Sequence, residues 1–203
     1  MYYKYLNEKN GKPYHGGVGQ WSLPVRNDDG TWTPGDWMPP VEGEIMPCQN
    51  GYHLCEPSDL LDWLAPALYV AEGRGDSVRD ENKTVFRQAR LLRSVVGYNE
   101  RALRLFACDC AEHVLHLFES EYPDDDRPRN CIEVARRYAN SNATDDELAA
   151  ARAAWDAARD AARDAARAAA WAAAWDARDA ARDVERQWQT QHLLKLLGIG
   201  NVM

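Results

Sequence analysis

The sequence predicts an α+β protein in which a small strand-rich N-terminal domain precedes an all-α region with one very long alanine-rich helix. Nearly all prolines lie before residue 97, and glycine is absent between Gly97 and Gly198. Residues 156–183 repeat Ala-Ala-Arg-Asp words with tryptophans inserted. Because glycine and proline mark turns whereas alanine has the highest helix propensity, the contrast predicts two domains, residues 1–96 and 99–197.

Several strands and one short helix are predicted in the N-terminal domain. YYKYL alternates like a strand, and ALYVAE and KTVFRQARLLRSV are rich in strand-forming residues. Ser58 is expected to cap the short helix DLLDWLAPA. The pair Asn50-Gly51, between GEIMPC and YHLC, predicts a hairpin or tight loop.

Three helices are predicted in the second domain, at about residues 99–120, 129–140 and 144–197. Thr144 and Glu147 have the spacing of a capping box, and Gly198 is a natural C-cap. The apolar positions of the first helix predict one buried stripe, formed by Leu103, Phe106, Cys110, Val114 and Leu117. The second helix is expected to turn three residues inward, Ile132, Ala135 and Tyr138.

The tryptophans of the long helix are the candidate partner-binding residues. Trp171 and Trp175 are one turn apart, whereas Trp155 lies sixteen residues before Trp171. At about 100° per residue, Trp155 then points roughly 160° away from the other two. The helix is therefore either wrapped by its own chain or offers Trp155, Trp171, Trp175 and Trp188 to a second chain.

Charge and hydropathy restrict the class of partner. The chain carries 24 basic and 32 acidic residues, a formal charge of -8. Because phosphate binding relies on a basic surface, this balance argues against nucleic acid as the main partner. The sequence shows neither a transmembrane segment nor a signal peptide, so we expect a cytoplasmic protein with no membrane partner.

Two cysteine-histidine triplets were considered as metal ligands. Cys48, His53 and Cys55 lie close together in PCQNGYHLC, and Cys108, Cys110 and His113 form CDCAEH. A structural zinc site needs four ligands, and the first spacing is uncommon for zinc. Cys108 and Cys110 are expected on different sides of the helix, with Cys110 buried. We therefore expect inert thiols, no metal and no cofactor, while Cys48, His53 and Cys55 remain candidate ligand residues.

The sequence contains none of the common catalytic motifs, neither a nucleophile elbow, a phosphate-binding loop, a zinc-protease helix nor a dinucleotide fingerprint. If the protein were an enzyme, His15 and His53 would be the first residues to test, because both lie in glycine-containing loops.

Both halves resemble known families. YKYL, the tryptophans near residues 21 and 37, and PCxxGYHLCxxxDLLDWLxxxLYVAE resemble a small domain of unknown function found in phage and actinobacterial proteins. LRLFACDCAEHVLHLFE, IEVARRYANSNATDDELAAARAAW and QHLLKLLG are similar to Ala/Trp/Arg-rich helical proteins, some of them classed as immunity proteins of bacterial toxin systems. The resemblance implies a phage or bacterial accessory protein that acts through protein contacts, in the host cytoplasm if phage-encoded.

Three functions are consistent with these features. The first is a non-enzymatic, immunity-like or counter-defence protein that occludes a partner protein. The second is an enzyme with an ADP-ribosyltransferase-like, NAD-binding N-terminal domain. The third is a structural phage component that self-associates through the long helix.

Overall fold

A computed structural model describes residues 1–7, 10–17, 19–154 and 175–199. The chain divides into two compact units, Met1–Asn99 with Leu197–Met203, and Glu100–Leu196. Strands lie in the first unit and α-helices in the second, which confirms the predicted α+β class. Among the described residues, no helix is long and apolar enough to cross a membrane.

The described part of the first unit contains six strands and a 3-10 helix, Pro57–Asp62. The strands are β1 (Tyr2–Leu6), β2 (Val25–Arg26), β3 (Trp32–Thr33), β4 (Tyr52–Leu54), β5 (Ala67–Asp80) and β6 (Lys83–Ser94). The predicted strands in YYKYL, ALYVAE and KTVFRQARLLRSV correspond to β1, β5 and β6, and the last two form one long hairpin.

The main sheet is antiparallel and has the order β1-β5-β6-β4. Tyr3 of β1 and Cys55, directly after β4, exchange two backbone hydrogen bonds of 2.8 Å. This bridge joins the first strand of the sheet to the last. The remaining edge of β6 is covered by residues 35–41, whose amides donate to backbone carbonyls of β6. Covering that edge leaves fewer unpaired backbone groups open to another chain.

The predicted tight loop before β4 is present. Met46 and Asn50 form an isolated β-bridge, so the tight loop spans residues 47–49 and closes at Asn50. The Asn50 side-chain amide donates to the carbonyls of Glu42 and Glu44 at 2.7 and 2.8 Å. The Asn50 side chain therefore holds the backbone of residues 42–44, which lead into the loop.

A mixed aromatic and aliphatic core covers one face of the main sheet. Its buried members are Leu6, Trp21, Met38, Leu54, Tyr69, Ala71, Phe86, Ala89 and Leu91. Gly73 allows the Phe86 ring to lie against the backbone of β5, because a Cβ at Gly73 would come within 2.2 Å of that ring. The glycine is therefore a packing requirement of this core.

The 3-10 helix is held by Asp59. The Asp59 carboxylate accepts the backbone N–H of Glu56 at 3.0 Å and two guanidinium hydrogen bonds from Arg79 of β5 at 2.8 and 3.0 Å. Ser58 was predicted as the helix cap, but the N-cap is Glu56, which forms a reciprocal capping box with Asp59. The Ser58 hydroxyl instead donates to Asp59. Pro57 at the first helical position explains the shift, because proline favours that position.

The second unit contains α1 (Glu100–Glu121), α2 (Arg127–Ala139), α3 (145–154) and α4 (Trp175–Leu196). The single helix predicted over 144–197 is not evident. Its two ends are helical, and the segment between them, with Trp155 and Trp171, lies outside the described residues. The predicted capping box is present, since Thr144 and Glu147 each accept the backbone N–H of the other. Gly198 has a left-handed φ of 64°, as a helix C-cap requires.

The predicted stripe of α1 is correct only in part. Phe106 is buried and Leu117 is 61% exposed. The other three members, Leu103, Cys110 and Val114, are partly buried. The residues that pack on Ile132 of α2 are instead Cys108 and Leu115, with Ala111 beside them. A second cluster joins α2 to α3 through Val134, Leu148 and Ala151. The stripe was misplaced because α1 has neighbours on two sides, and small residues make part of the contact.

Replacing Gly73 with alanine is expected to lower the free energy of unfolding by about 1–3 kcal/mol, because the new methyl group overpacks against Phe86. Gly97→Ala is the matched control, since a Cβ there meets no atom within 4 Å. Urea denaturation of both variants measures the difference. Equal stability of the two variants would contradict the packing explanation.

Stability should depend on Asp59 in a pH-dependent way. Burial alone would raise the pKa of this carboxyl, but the hydrogen bonds from Arg79, Glu56 and Ser58 outweigh it and hold the pKa below the usual 3.8. A carboxyl with a lowered folded-state pKa stabilises the fold above its unfolded pKa, and the contribution is lost as pH falls through the folded value.

Asp59→Asn should therefore lower the free energy of unfolding at pH 7 by about 1–2 kcal/mol, a modest value because part of the ion pair is exposed to solvent. The gap between the wild type and the variant should close as the pH is taken below 3.8. Urea denaturation at pH 7 and pH 3 measures this gap, with the exposed Asp28→Asn as control. A gap of the same size at both values would show that Asp59 does not act through its charge.

Candidate functional site

Four rings form a continuous stack between α1 and α4 in the helical unit. The ring centroids of His113 and Trp188 are 3.7 Å apart, with the planes inclined by 4°. Trp188 is followed by His192 at 4.9 Å and 8°, and His192 by Phe106 at 6.0 Å and 20°. Trp188 and His192 are one helical turn apart on α4, so both rings leave the same face of that helix.

Each histidine of the stack is held by a carboxylate from the opposite helix. His113 Nδ1 lies 2.8 Å from the Glu185 carboxylate, and His192 Nε2 lies 2.8 Å from the Asp109 carboxylate. Gln189 donates to the second oxygen of Glu185 at 2.9 Å. Since a hydrogen bond at one ring nitrogen fixes the orientation of an imidazole, these pairs set the planes of both rings.

Asp109 also connects these two helices to α2. Its second oxygen lies 2.6 Å from the Arg136 guanidinium, which forms a further ion pair with Glu112. Burial alone would lower the pKa of Arg136, but the hydrogen bonds and negative charges of Asp109 and Glu112 raise it above its ordinary value. Three helices therefore meet at one partly buried carboxylate.

The stack determines how Trp188 can take part in binding. Trp188 was predicted to contact a partner protein, and in this unit its indole is stacked against two histidines. The other predicted contact residues, Trp155 and Trp171, lie outside the described residues, as does the side chain of Trp175. Those three remain predictions.

The first candidate ligand triplet is brought together only in part. The backbone N–H of Cys48 donates to His53 Nε2 at 2.8 Å. Cys55 is buried, and its backbone pairs with Tyr3. Among the described residues, no group of three or more histidine, cysteine or acidic side chains is placed to hold a metal ion.

Cys108 and Cys110 lie on different sides of α1, as expected, but their burial is the reverse of the prediction. Cys108 is buried against α2, whereas Cys110 is only partly buried. Burial raises the pKa of both thiols, and the nearby Glu185 and Asp109 help to raise that of Cys110 to about 11. A raised pKa leaves less of a thiol in the reactive thiolate form at neutral pH.

Lys83 links several loops of the strand-rich unit. Its ammonium lies 2.7 Å from the Asp80 carboxylate and 5.4 Å from the centroid of the Trp63 ring. His15 is one of the two histidines that the sequence suggested for testing. Its ring packs edge-on against the Trp63 ring, with the two centroids 5.4 Å apart. No sequence motif marks this cluster, because its members come from three separate segments.

The polar residues around the ring stack were not predicted from the sequence, namely Asp109, Arg136 and Glu185. A signal was present in part. Asp109 and His113 are four residues apart on α1, and Glu185, Trp188 and His192 follow helical spacing on α4. Such spacing shows that each set shares a face, but it does not show that the two faces meet.

Replacing Trp188 with alanine should lower the stability of the helical unit by about 2 kcal/mol, since the indole stacks on two histidine rings and is partly buried. Val184→Ala on the same helix is the control, because Val184 is 68% exposed. Thermal unfolding followed by circular dichroism measures both. A Trp188→Ala variant as stable as the control would show that the stack does not hold α4.

Comparison with known proteins gives one match. Residues 97–178 match a family model described as "Imm-5 like putative immunity protein". The matched segment is less than half of the chain and begins just before α1. No curated protein and no solved structure matches the chain. The helical region is therefore immunity-like in sequence, as its resemblance predicted.

Proposed function

We propose that this protein is a non-enzymatic, immunity-like or counter-defence factor that binds one partner protein and occludes its working surface. The match of residues 97–178 to the immunity-protein family model carries the proposal. An immunity protein acts by binding another protein, so the partner is a protein and the site of action is the cytoplasm of the cell that it protects.

The charge of the chain favours a partner with a basic surface. The net charge is -8. Four carboxylates of the helical unit form ion pairs with arginines, namely Asp109, Glu112, Glu119 and Asp125. Glu121 at the end of α1, and Asp124 and Asp126 in the loop that follows, are exposed to solvent. Exposed carboxylates in such a loop attract a basic surface from a distance and speed association.

The architecture of the helical unit supports binding through a preformed surface. The ring stack and the Asp109–Arg136 ion pair hold α1, α2 and α4 together through several directional contacts. A rigid surface loses less conformational entropy on association than a flexible one. The predicted contact residues Trp155, Trp171 and Trp175 would add large aromatic area to such a surface.

The test is protection of growth combined with direct binding. Each protein encoded beside this gene is expressed in a bacterial host, alone and together with the full chain, from separate promoters. We expect one neighbour to arrest growth, the chain to restore it, and the two proteins to co-purify as a complex of fixed stoichiometry. Rescue without a complex, or no rescue of any toxic neighbour, would refute the proposal.

Removing charge from the acidic loop should slow association with that partner. Asp124→Asn with Asp126→Asn is expected to reduce the association rate by roughly tenfold at low salt, and less at high salt. Glu42→Gln with Glu44→Gln makes the same charge change at exposed residues of the other unit and is the matched control. Stopped-flow or surface-plasmon measurements give the rates. If both double variants slow association equally, the loop has no special part in binding.

A further inference from the structure

A group of polar side chains lies along the β5–β6 hairpin of the strand-rich unit. Glu72 is opposite Arg90 in the strand register, and Arg74 is opposite Gln88. Positions two apart in a strand share a face, so these four side chains lie together. The Arg90 guanidinium forms an ion pair with the Glu72 carboxylate, and Nε of Arg74 donates to the Gln88 side-chain oxygen at 2.9 Å.

An indole from a third segment completes this group. Trp37 belongs to the segment that is hydrogen-bonded along β6, and its side chain is partly buried. The centroid of its ring lies 4.0 Å from the guanidinium carbon of Arg74 and 4.7 Å from that of Arg90. A guanidinium group is attracted to the face of an indole. We call these five residues the Trp37 cluster, namely Trp37, Glu72, Arg74, Gln88 and Arg90.

The guanidinium of Arg74 is held in place but is not used up. Gln88 is itself anchored, since its side-chain amide donates to the Met38 carbonyl at 3.0 Å. The ring contact and the bond at Nε then fix the plane of the guanidinium. Arg74 is exposed, and its two terminal nitrogens form no hydrogen bond or ion pair with the residues that the structure describes. Donors fixed in this way lose little entropy when they bind.

The charge of Arg74 also lacks the compensation that neighbouring arginines have. Three other arginines of the hairpin each form an ion pair, namely Arg79 with Asp59, Arg87 with Asp76 and Arg90 with Glu72. The hydrogen-bond partner of Arg74 is the neutral Gln88. Since a second guanidinium lies at the same ring, the positive potential at this place favours an anion.

We propose that the Trp37 cluster binds an acidic segment of a protein, with one carboxylate of that segment accepting hydrogen bonds from both terminal nitrogens of Arg74. The cluster lies in the strand-rich unit, outside residues 97–178, which match the immunity-protein family model. The proposal therefore goes beyond the occluding function and does not depend on it.

The chemistry of the cluster favours a carboxylate on a protein over other anions. The planar fork of a guanidinium matches the two oxygens of a carboxylate. Two arginines and one glutamate leave the cluster with a single net positive charge, which suits a singly charged carboxylate better than a doubly charged phosphate. Arg74 is exposed, and an open surface holds a small free acid poorly, whereas a peptide adds contacts on either side of its carboxylate.

The test measures binding of a fluorescein-labelled hexaglutamate peptide to the purified full chain by fluorescence anisotropy at low salt. We expect saturable binding by the wild type. Arg74→Gln should weaken it roughly fivefold, because the charge and both donors of the fork are lost. Arg26→Gln removes the same charge from an exposed residue of β2 and is the matched control, with no change of affinity expected.

Arg74→Lys separates the geometry of the contact from its charge. Lysine keeps the positive charge but replaces the planar fork with a point charge, so the affinity should lie between those of the wild type and Arg74→Gln. Because Arg74 is exposed, neither substitution removes a buried side chain, and near-ultraviolet circular dichroism checks that both variants are folded.

Two competitors test the class of ligand. Acetate, at the concentration at which unlabelled hexaglutamate displaces the labelled peptide, should displace little of it. An oligothymidylate of the same charge should compete less well than hexaglutamate. If acetate competes equally, the site takes a free small acid, and if the oligothymidylate competes better, it takes a nucleic acid. Either result would overturn the proposal.

The variants provide the remaining decisive outcomes. Absence of saturable binding by the wild type would contradict the proposal outright. Equal affinities of Arg74→Gln and Arg26→Gln would show that the peptide binds elsewhere on the chain. An Arg74→Lys variant that binds as tightly as the wild type would show that the fork does not hold the carboxylate, which also refutes the proposal.

Discussion

The antiparallel pairing of β5 with β6 is the interaction on which the strand-rich unit depends. β1 pairs with the first half of β5, and β4 pairs with the first half of β6, so neither short strand has a sheet to join without the hairpin. The 3-10 helix is tied to β5 through Asp59 and Arg79, and residues 35–41 are hydrogen-bonded along β6. The turn of the hairpin also places Lys83 beside Asp80. One long pairing therefore supports the core, the 3-10 helix and the segment that covers β6.

The helical unit depends on a different kind of constraint. Its apolar clusters are small and contain cysteine and alanine, which bury little area for each residue. Directional contacts add to them, namely the ring stack, the two histidine–carboxylate pairs and the Arg136 ion pairs. Such contacts require accurate geometry, so they fix the arrangement of α1, α2 and α4 more closely than a small apolar core could.

Local signals predicted much of the fold. The strands, the break between the two halves and the Thr144–Glu147 capping box follow from neighbouring residues, and the structure bears out the strands and the box. The buried side of α1 was misjudged because the pattern was fitted to one stripe, whereas Cys108 packs on α2 while Phe106 and His113 meet α4. Periodicity gives the apolar positions of a helix, but not how many neighbours it has.

The candidate sites were harder to predict for a related reason. His53 was singled out because it lies near two cysteines in the sequence, yet its structural partner is the backbone of Cys48. Lys83 had no sequence signal at all, since its neighbour Trp63 comes from a distant segment. Likewise, Asp109 and His192 are 83 positions apart. Only the tertiary fold brings these groups together.

The central claim is that the immunity-like helical region is the part that binds the partner protein. Hydrogen–deuterium exchange of the full chain, alone and in complex with the protein whose toxicity it suppresses, tests this claim most directly. The account predicts that new protection falls within residues 100–196 and includes the loop between α1 and α2. Protection confined to residues 1–99 would contradict it.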